Sequence, residues 1–132
     1  MNRLPATIRA LASADGLHLL ELTLCGQPCT AFASAALPPW QAGQTVEVLF
    51  RELDVALSTA PCPTLSIRNS LPCRIVAIRH GTLFSDVTLH SAGATLHAVI
   101  TRRSCDSLAL HEGMTVYALI KSNALQLLEP AP

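Results

Sequence analysis

The stretch Leu71-Pro72-Cys73-Arg74-Ile75-Val76-Ala77-Ile78 decides the fold, because Leu4-Pro5-Ala6-Thr7-Ile8-Arg9-Ala10-Leu11 precedes it with the same pattern at an offset of 67 residues. The same offset places Leu22 on Leu89 and Gly26 on Gly93. Further along the chain the offset becomes 70, and the segment 43–51 falls on the segment 113–121. Self-similarity at a fixed period indicates two copies of one structural unit.

These two copies are predicted to be lobes that span residues 1–60 and 66–129. The linker between them is predicted at residues 61–65, where Pro61 and Pro63 interrupt any strand. Proline fixes φ and supplies no donor for a sheet, so strands stop there. The tail at residues 130–132 is expected to be frayed.

Alternating apolar residues in lobe two predict five short strands, at residues 73–79, 85–90, 95–101, 114–121 and 124–128. Between the third and fourth strands, Ser104 is expected to cap a short helix over residues 104–110. Five strands with one helical turn in this place is the order of an OB-type barrel. We therefore predict an all-β fold with short helical turns, arranged as two tandem OB-like five-stranded barrel lobes.

The composition limits the partners of the chain. Half of the 132 residues are hydrophobic, and the mean hydropathy of +0.40 is high, so we expect apolar surface to be buried in a homodimer. Nine basic residues balance nine acidic ones, and aromatic residues make up only 4% of the chain, which argues against a nucleic-acid partner.

Location is predicted from the cysteines and from hydropathy. The five cysteines include no C-x-x-C pair, and we expect them to be reduced and mostly buried, as in the cytosol. The sequence has neither a secretory signal nor a run of 18 apolar residues, so a cytoplasmic location is predicted.

Hydrogen-bond donors and cations gather in a few short segments, and no carboxylate interrupts the two main ones, 66–69 and 118–122. A tetrahedral dianion needs such donors and partial neutralisation of its charge. The candidate site residues are Ser66, Arg68, Asn69, Thr101, Ser104, Lys121 and Ser122. No P-loop, no G-x-S-x-G elbow and no convincing set of metal ligands is present, so we expect neither an enzyme nor a metal site.

The segment Ser66-Ile67-Arg68-Asn69-Ser70-Leu71-Pro72 resembles the S-x-R-N-x-L opening of the molybdate-binding Mop domains, also called TOBE domains. The resemblance continues through residues 76–78, 85–89, 100–104, 113–114 and 118–122, and so covers nearly all of lobe two. Lobe one, with the segment 51–58, resembles the degenerate Mop lobe that precedes it in the ATPase subunit of bacterial molybdate ABC importers.

This resemblance implies OB-like lobes, paired chains and an oxyanion bound where lobes or subunits meet. Ser66 and Arg68 would contribute from one side of that contact, and Thr101, Ser104, Lys121 and Ser122 from the other. Asn69 would fix the turn that aims Arg68. Lobe one has Arg51 in the place of Lys121 but no S-x-R-N, with only Asn2 at the matching place, so its capacity to bind an anion is in question.

The leading hypothesis is a regulatory accessory domain of a molybdate import ATPase that binds molybdate or tungstate and no other cofactor. Its partners would be a second copy and the ATPase and membrane subunits of the importer, at the inner face of the membrane. A freestanding cytoplasmic di-Mop storage protein (a molbindin) is the first alternative. An OB-type interaction module without a small ligand is an alternative of another class.

Overall fold

The structure is a computed structural model that describes residues 1–34 and 36–130. The described residues form a mostly β fold of two lobes, which confirms the predicted fold class. The strands are β1 (Asn2–Ala14), β2 (Leu17–Leu24), β3 (Gln27–Ala33), β4 (Thr45–Phe50), β5 (Ala56–Ser58), β6 (Asn69–His80), β7 (Phe84–Ser91), β8 (Ala94–Thr101), β9 (Thr115–Ile120) and β10 (Gln126–Leu128).

The two five-stranded sheets exchange their last strands. One sheet has the order β10-β4-β1-β2-β3 and the other has the order β5-β9-β6-β7-β8. The strand that ends lobe one therefore pairs with β9 of lobe two, and the strand that ends lobe two pairs with β4 of lobe one. The predicted boundary at residues 61–65 falls in irregular chain, but the sheets do not follow it.

The internal repeat of the sequence is also a repeat of backbone detail. The pairing of β1 with β2 shifts register between Ile8 and Ala10, and the pairing of β6 with β7 shifts between Ile75 and Ala77. Just before each bulge, a strand residue donates a hydrogen bond to the loop that precedes β4 or β9. Ile75 N–H donates to Met114 O (2.9 Å), and Ile8 N–H donates to Gln44 O at the same distance. A bulge bends the strand and raises its twist, which lets each sheet curl into a half-barrel.

Two-residue turns join the middle strands of each lobe. Cys25 and Gly26 connect β2 to β3, and Ala92 and Gly93 connect β7 to β8. Both residues of each pair have positive φ, between 47° and 84°. This conformation matches the right-handed twist of a hairpin and favours glycine at the second position.

The buried side chains of both lobes form one continuous core. Leu20, Leu22 and Leu24 alternate along β2 and are at most 1% exposed, and Leu89 and Leu96 are fully buried in lobe two. Alternation of this kind places one face of each sheet on the core. Because a lobe of about 60 residues buries a marginal core alone, the shared core helps to stabilise both.

The helical segments differ from the prediction. The helix α1 spans Arg102–Ser107 instead of 104–110, and its N-cap is Thr101, not Ser104. Short 3-10 turns at Glu52–Asp54 and Ser122–Ala124 precede β5 and β10. The predicted cap lies three residues after the observed one, because a serine inside the first turn gives the same compositional signal as a cap.

Among the described residues 34 and 36–44, none is helical, so lobe one lacks a counterpart of α1. Trp40, which is 8% exposed, packs into the core of lobe one. Within the described chain, no helix is both long and apolar enough to cross a membrane. Residues 131 and 132 of the predicted frayed tail lie outside the described residues.

The strand exchange predicts how lobe two behaves alone. A fragment of residues 66–132 lacks β5, and its β10 lacks the β4 partner. Exposed strand edges pair with another chain when one is available. We expect the fragment to form a dimer that exchanges β10 between two copies, and size-exclusion chromatography with light scattering measures this. A folded monomeric fragment would contradict the importance of the exchange.

The five cysteines are all free, and their burial agrees in most cases with the sequence prediction. Cys29, Cys73 and Cys105 are buried, Cys25 is half-buried and Cys62 is exposed in the linker. Burial raises the pKa of the Cys29 thiol to about 12 and that of Cys73 to about 11, because the thiolate loses its hydration.

These pKa values predict selective thiol labelling. The thiolate is the reactive form, and it appears only as the pH approaches the raised pKa, so Cys29 and Cys73 stay protonated at pH 8. We expect iodoacetamide to modify Cys62 in the native protein and the buried thiols only after unfolding. Peptide mass spectrometry reads the sites, and Cys62→Ser should remove the rapid phase. Rapid labelling of Cys29 in folded protein would refute this.

Candidate oxyanion site

Asn69 joins lobe two to the free edge of the lobe-one sheet. Its side-chain Nδ2 donates to Thr30 O (2.8 Å), and its Oδ1 accepts from Thr30 N–H (2.7 Å). The amide thus pairs with Thr30 of the edge strand β3 as a neighbouring strand would. Asn69 is 1% exposed, so these bonds satisfy polar groups that water does not reach.

Asn2 of lobe one makes the same pair of bonds with the edge strand of lobe two. Its Nδ2 donates to His97 O (2.8 Å) and its Oδ1 accepts from His97 N–H (2.8 Å) on the edge strand β8. Asn2 lies 67 residues before its counterpart Asn69, and His97 lies 67 residues after its counterpart Thr30. The lobes therefore meet at two related places, which we call the Thr30 junction (Thr30, Asn69 and Ser122) and the His97 junction (His97, Asn2 and Glu52).

A hydroxyl pair completes the Thr30 junction. The 3-10 turn Ser122–Ala124 packs on β3, and the Thr30 Oγ1 atom lies 2.7 Å from the Ser122 Oγ atom. Either hydroxyl can donate in this bond, and each carries one proton. Because only one proton is used between them, the pair keeps one O–H that can be donated to a ligand.

Arg68 brings a cation to the same place. It is exposed, and it lines a groove of about 380 Å³ together with Asn69, Thr30 and Arg9. Arg9 lies at the β1 bulge, and its Nε donates to the Thr23 Oγ1 atom (2.7 Å). Two guanidinium groups from different lobes thus share one groove, which suits an anion.

The remaining candidates near this junction are exposed. Ser66 lies in the irregular chain before β6, and Lys121 is the residue directly before the turn that holds Ser122. Both polar atoms of the Asn69 amide are bonded to Thr30, and the residue is only 1% exposed. Its side chain is therefore a clamp that fixes Arg68 beside β3.

Thr101 and Ser104 lie apart from the other candidates. Thr101 pairs with Phe84 at the start of β7, which lies opposite the last residues of β6, whereas Asn69 is the first residue of β6. Strand order therefore places Thr101 towards the end of β6 that is opposite to Asn69.

Much of the donor capacity at α1 is already used. The Thr101 Oγ1 atom accepts from Ser104 N–H (3.1 Å) and donates to Ser104 Oγ (2.8 Å), and Arg102 N–H donates to Leu83 O (2.8 Å). The N–H groups of Arg102 and Ser104 are therefore already bonded at the start of the helix. The exposed Ser104 hydroxyl keeps its own proton to donate.

A larger groove of about 790 Å³ runs between the segment after β3 and the strand β10. Its walls include the apolar residues Phe32, Leu37 and Trp40. None of the described residues that line this groove is a predicted site residue. Its apolar walls do not suit a hydrated dianion, so the smaller groove at the Thr30 junction is the better candidate site.

The fold and the junction define the class of paired OB-type domains. The TOBE domain model matches residues 65–127, which is lobe two from the end of the linker to β10. Lobe two therefore belongs to the family of TOBE domains. This confirms the resemblance stated from the sequence.

Relatives with known names agree with this membership. The chain is 35% identical over 117 residues to the "Molybdenum import ATP-binding protein ModC" of Rhizobium etli, covering 86% of this chain and 32% of the relative. It is 38% identical over 110 residues to the "Molybdenum-pterin-binding protein MopB" of Rhodobacter capsulatus, covering 80% and 41%. The chain thus spans about a third of the length of the curated relatives it matches first.

A solved structure resembles the whole chain. The cytoplasmic molybdate-binding protein ModG, in a form with molybdate bound, superposes with a TM-score of 0.89 at 26% identity. The match covers 98% of this chain and 96% of that chain. Both lobes, including lobe one, therefore share the ModG architecture.

Sequence reasoning missed Thr30 and Arg9 as parts of the junction. Thr30 is bound mainly through its backbone, and a backbone contact leaves no mark in side-chain chemistry. The offset of 67 that aligns Asn2 with Asn69 was the available signal, since it makes Thr30 the counterpart of His97. Arg9 lay in the repeat and was counted only as a strand residue.

The two asparagine clamps predict matched losses of stability. Asn69→Ala leaves Thr30 N–H and C=O without these partners, and Asn2→Ala does the same to His97. We expect each variant to lower the free energy of unfolding by about 1–3 kcal/mol, measured by urea denaturation. Asn69→Asp, which keeps the acceptor but loses the donor, should fall below wild type as well. A change under about 0.5 kcal/mol, the size of a neutral surface substitution, would contradict the clamp.

Proposed function

We propose that this chain binds molybdate or tungstate at the Thr30 junction and acts as a regulatory accessory domain of a molybdate import ATPase. The observation that carries the proposal is the shared groove of Arg68 and Thr30, beside the hydroxyl pair of Thr30 and Ser122. Membership of the TOBE family and the named molybdenum-related relatives support the choice of ligand.

Each part of the junction has a chemical task in this proposal. Arg68 and Lys121 neutralise the dianion, and the free hydroxyl proton of the Thr30–Ser122 pair donates to one of its oxygens. Ser66 adds a hydroxyl from the chain before Arg68. Asn69 holds the edge strand and keeps Arg68 in place, so the cation is positioned before the anion arrives.

Thr101 and Ser104 enter the proposed site from a second copy of the chain. They lie at the other end of β6 from Asn69, so one chain does not bring them to its own junction. Exposed apolar residues on one face of lobe one, among them Leu17, Leu19 and Phe32, support pairing of chains. Leu19 and Phe32 are directly opposite each other on β2 and β3.

Regulation follows if the anion favours one arrangement of the pair. An anion bound between two copies stabilises the arrangement in which all its donors converge, and only such differential binding shifts a conformational equilibrium. In an importer, a rise in cytoplasmic molybdate would then slow transport. The match to ModC relatives, of which this chain spans about a third, supports the placement of the domain in that subunit.

The alternative is a freestanding molybdate-storage protein. The superposition on ModG, which covers 96% of that protein, favours it. In both cases the proposed location is cytoplasmic, the word that describes ModG, and the proposed ligand is the oxyanion with no further cofactor. The importer hypothesis adds the ATPase and membrane subunits as partners. The matched domain family gives no catalytic role, and we propose none for this chain.

Titration calorimetry with sodium molybdate tests the proposal. We expect saturable binding and a rise in melting temperature, with tungstate competing and sulfate competing weakly. Lys121→Glu should abolish binding, because it places a carboxylate where the dianion needs a cation. Arg74→Glu, an equal charge reversal at an exposed residue of β6, is the control and should bind as wild type does.

Two outcomes would overturn the assignment. Wild-type protein that shows neither heat nor a thermal shift at millimolar molybdate is not an oxyanion-binding protein, and the interaction-module alternative then stands. A Lys121→Glu variant that binds as tightly as wild type removes Lys121 from the site.

A further inference from the structure

The internal repeat builds two junctions with one backbone plan. At each junction an asparagine pairs with the edge strand of the other lobe, and a 3-10 turn packs on that strand. The residues before the two turns, Arg51 and Lys121, have the same extended conformation, with ψ of 148° and 145°. The charges of equivalent residues at the two junctions can therefore be compared one by one.

The Thr30 junction is rich in cations. Arg9 and Arg68 line its groove together with the acidic Glu21, and Lys121 directly precedes Ser122. The turn that packs on β3 begins with Ser122 and ends with Ala124, which carry no charge. An anion entering this groove meets the two guanidinium groups of Arg9 and Arg68.

The His97 junction has the opposite character. Glu52 stands in the place of Ser122, Asp54 in the place of Ala124, and Val76 in the place of Arg9. Arg51, the counterpart of Lys121, is held by Asp54 through two bonds, Nε to Oδ2 (2.9 Å) and Nη2 to Oδ1 (3.1 Å). The Met1 ammonium group in turn donates to Glu52 Oε1, so both cations of this junction are already paired with carboxylates.

These carboxylates prevent a dianion from using the second junction. A carboxylate only accepts hydrogen bonds, so Glu52 cannot replace the donor that Ser122 supplies. Glu52 is paired with the Met1 ammonium group and Asp54 with Arg51, so the two carboxylates cancel most of the attraction of both cations for a dianion. The shared backbone geometry would allow an anion site at both junctions, but the charges of the side chains favour a site at the Thr30 junction only.

We propose that each chain binds one oxyanion, at the Thr30 junction only, that Arg9 is a binding residue there, and that Glu52 and Asp54 close the His97 junction to anions. This inference rests on the proposed function but goes further, because it fixes the stoichiometry and assigns roles to three residues outside the predicted site. A single site per chain also suits a sensor better than a store.

The experiment is titration calorimetry with molybdate on the full chain and four variants. Wild type should bind one anion per chain. Arg9→Val, which copies Val76 of the other junction, should weaken binding roughly tenfold, as expected for the loss of one charge-assisted hydrogen bond. The double variant Glu52→Ser with Asp54→Ala should bind a second anion per chain, because it copies Ser122 and Ala124 and frees Arg51.

Arg74→Val is the matched control for Arg9→Val, since it removes an exposed arginine from a strand outside the groove and should leave the affinity unchanged. Circular dichroism and thermal melting verify that every variant is folded. For the double variant, adding Lys121→Glu should remove the first anion and leave the second, which assigns the new site to the His97 junction.

The outcomes separate the inference from the proposed function. Absence of molybdate binding by wild type refutes the proposed function and the inference together. Binding of two anions per wild-type chain refutes only the inference, as does a folded double variant that still binds one. Unchanged affinity in Arg9→Val removes Arg9 from the site.

Discussion

The paired bonds between an asparagine amide and the edge strand of the other lobe are the interaction on which this structure depends. Asn69 pairs with Thr30 on β3, and Asn2 pairs with His97 on β8. An unpaired sheet edge invites association with other chains, and here each edge is satisfied at one point by the opposite lobe. Together with the exchange of β5 and β10, these bonds make the lobes a single unit with one core.

This arrangement links the candidate site to the contact between lobes. Arg68 directly precedes Asn69, and Ser122 is bonded to the same Thr30 that Asn69 holds. A shift of one lobe against the other would therefore move Thr30 away from both Arg68 and Ser122. A ligand that needs both groups favours the closed arrangement, and this is the differential affinity that a regulatory domain requires.

Much of the fold could be predicted from the sequence because its signals are local. Apolar alternation marked the strands of lobe two, and the aligned segments around Ile8 and Ile75 marked the two copies. The exchange of β5 and β10 was not predictable, because the two strands occupy equivalent positions in equivalent sheets. Pairing within a lobe or between lobes satisfies the same hydrogen bonds, so only the path of the linker separates the two topologies.

The site was predicted less completely, for a related reason. Donor chemistry identified Arg68 and Ser122, which both lie beside Thr30, and Thr101, which strand order places at the far end of β6. Thr30 itself takes part chiefly through its backbone. Such a role depends on which strand forms the edge of a sheet, and that is a property of the assembled fold.

Comparison of the two halves separates what the fold needs from what a ligand needs. Both halves keep the asparagine, the bulge and the glycine that enters the fourth strand of each lobe, because each half must build the same sheet. They differ where no backbone constraint acts: Arg9 against Val76, and Ser122 against Glu52. Because each junction has its own asparagine with the same pair of bonds, this residue serves the fold at both junctions. The residues that distinguish the junctions therefore differ in charge, while the backbone geometry around them is shared.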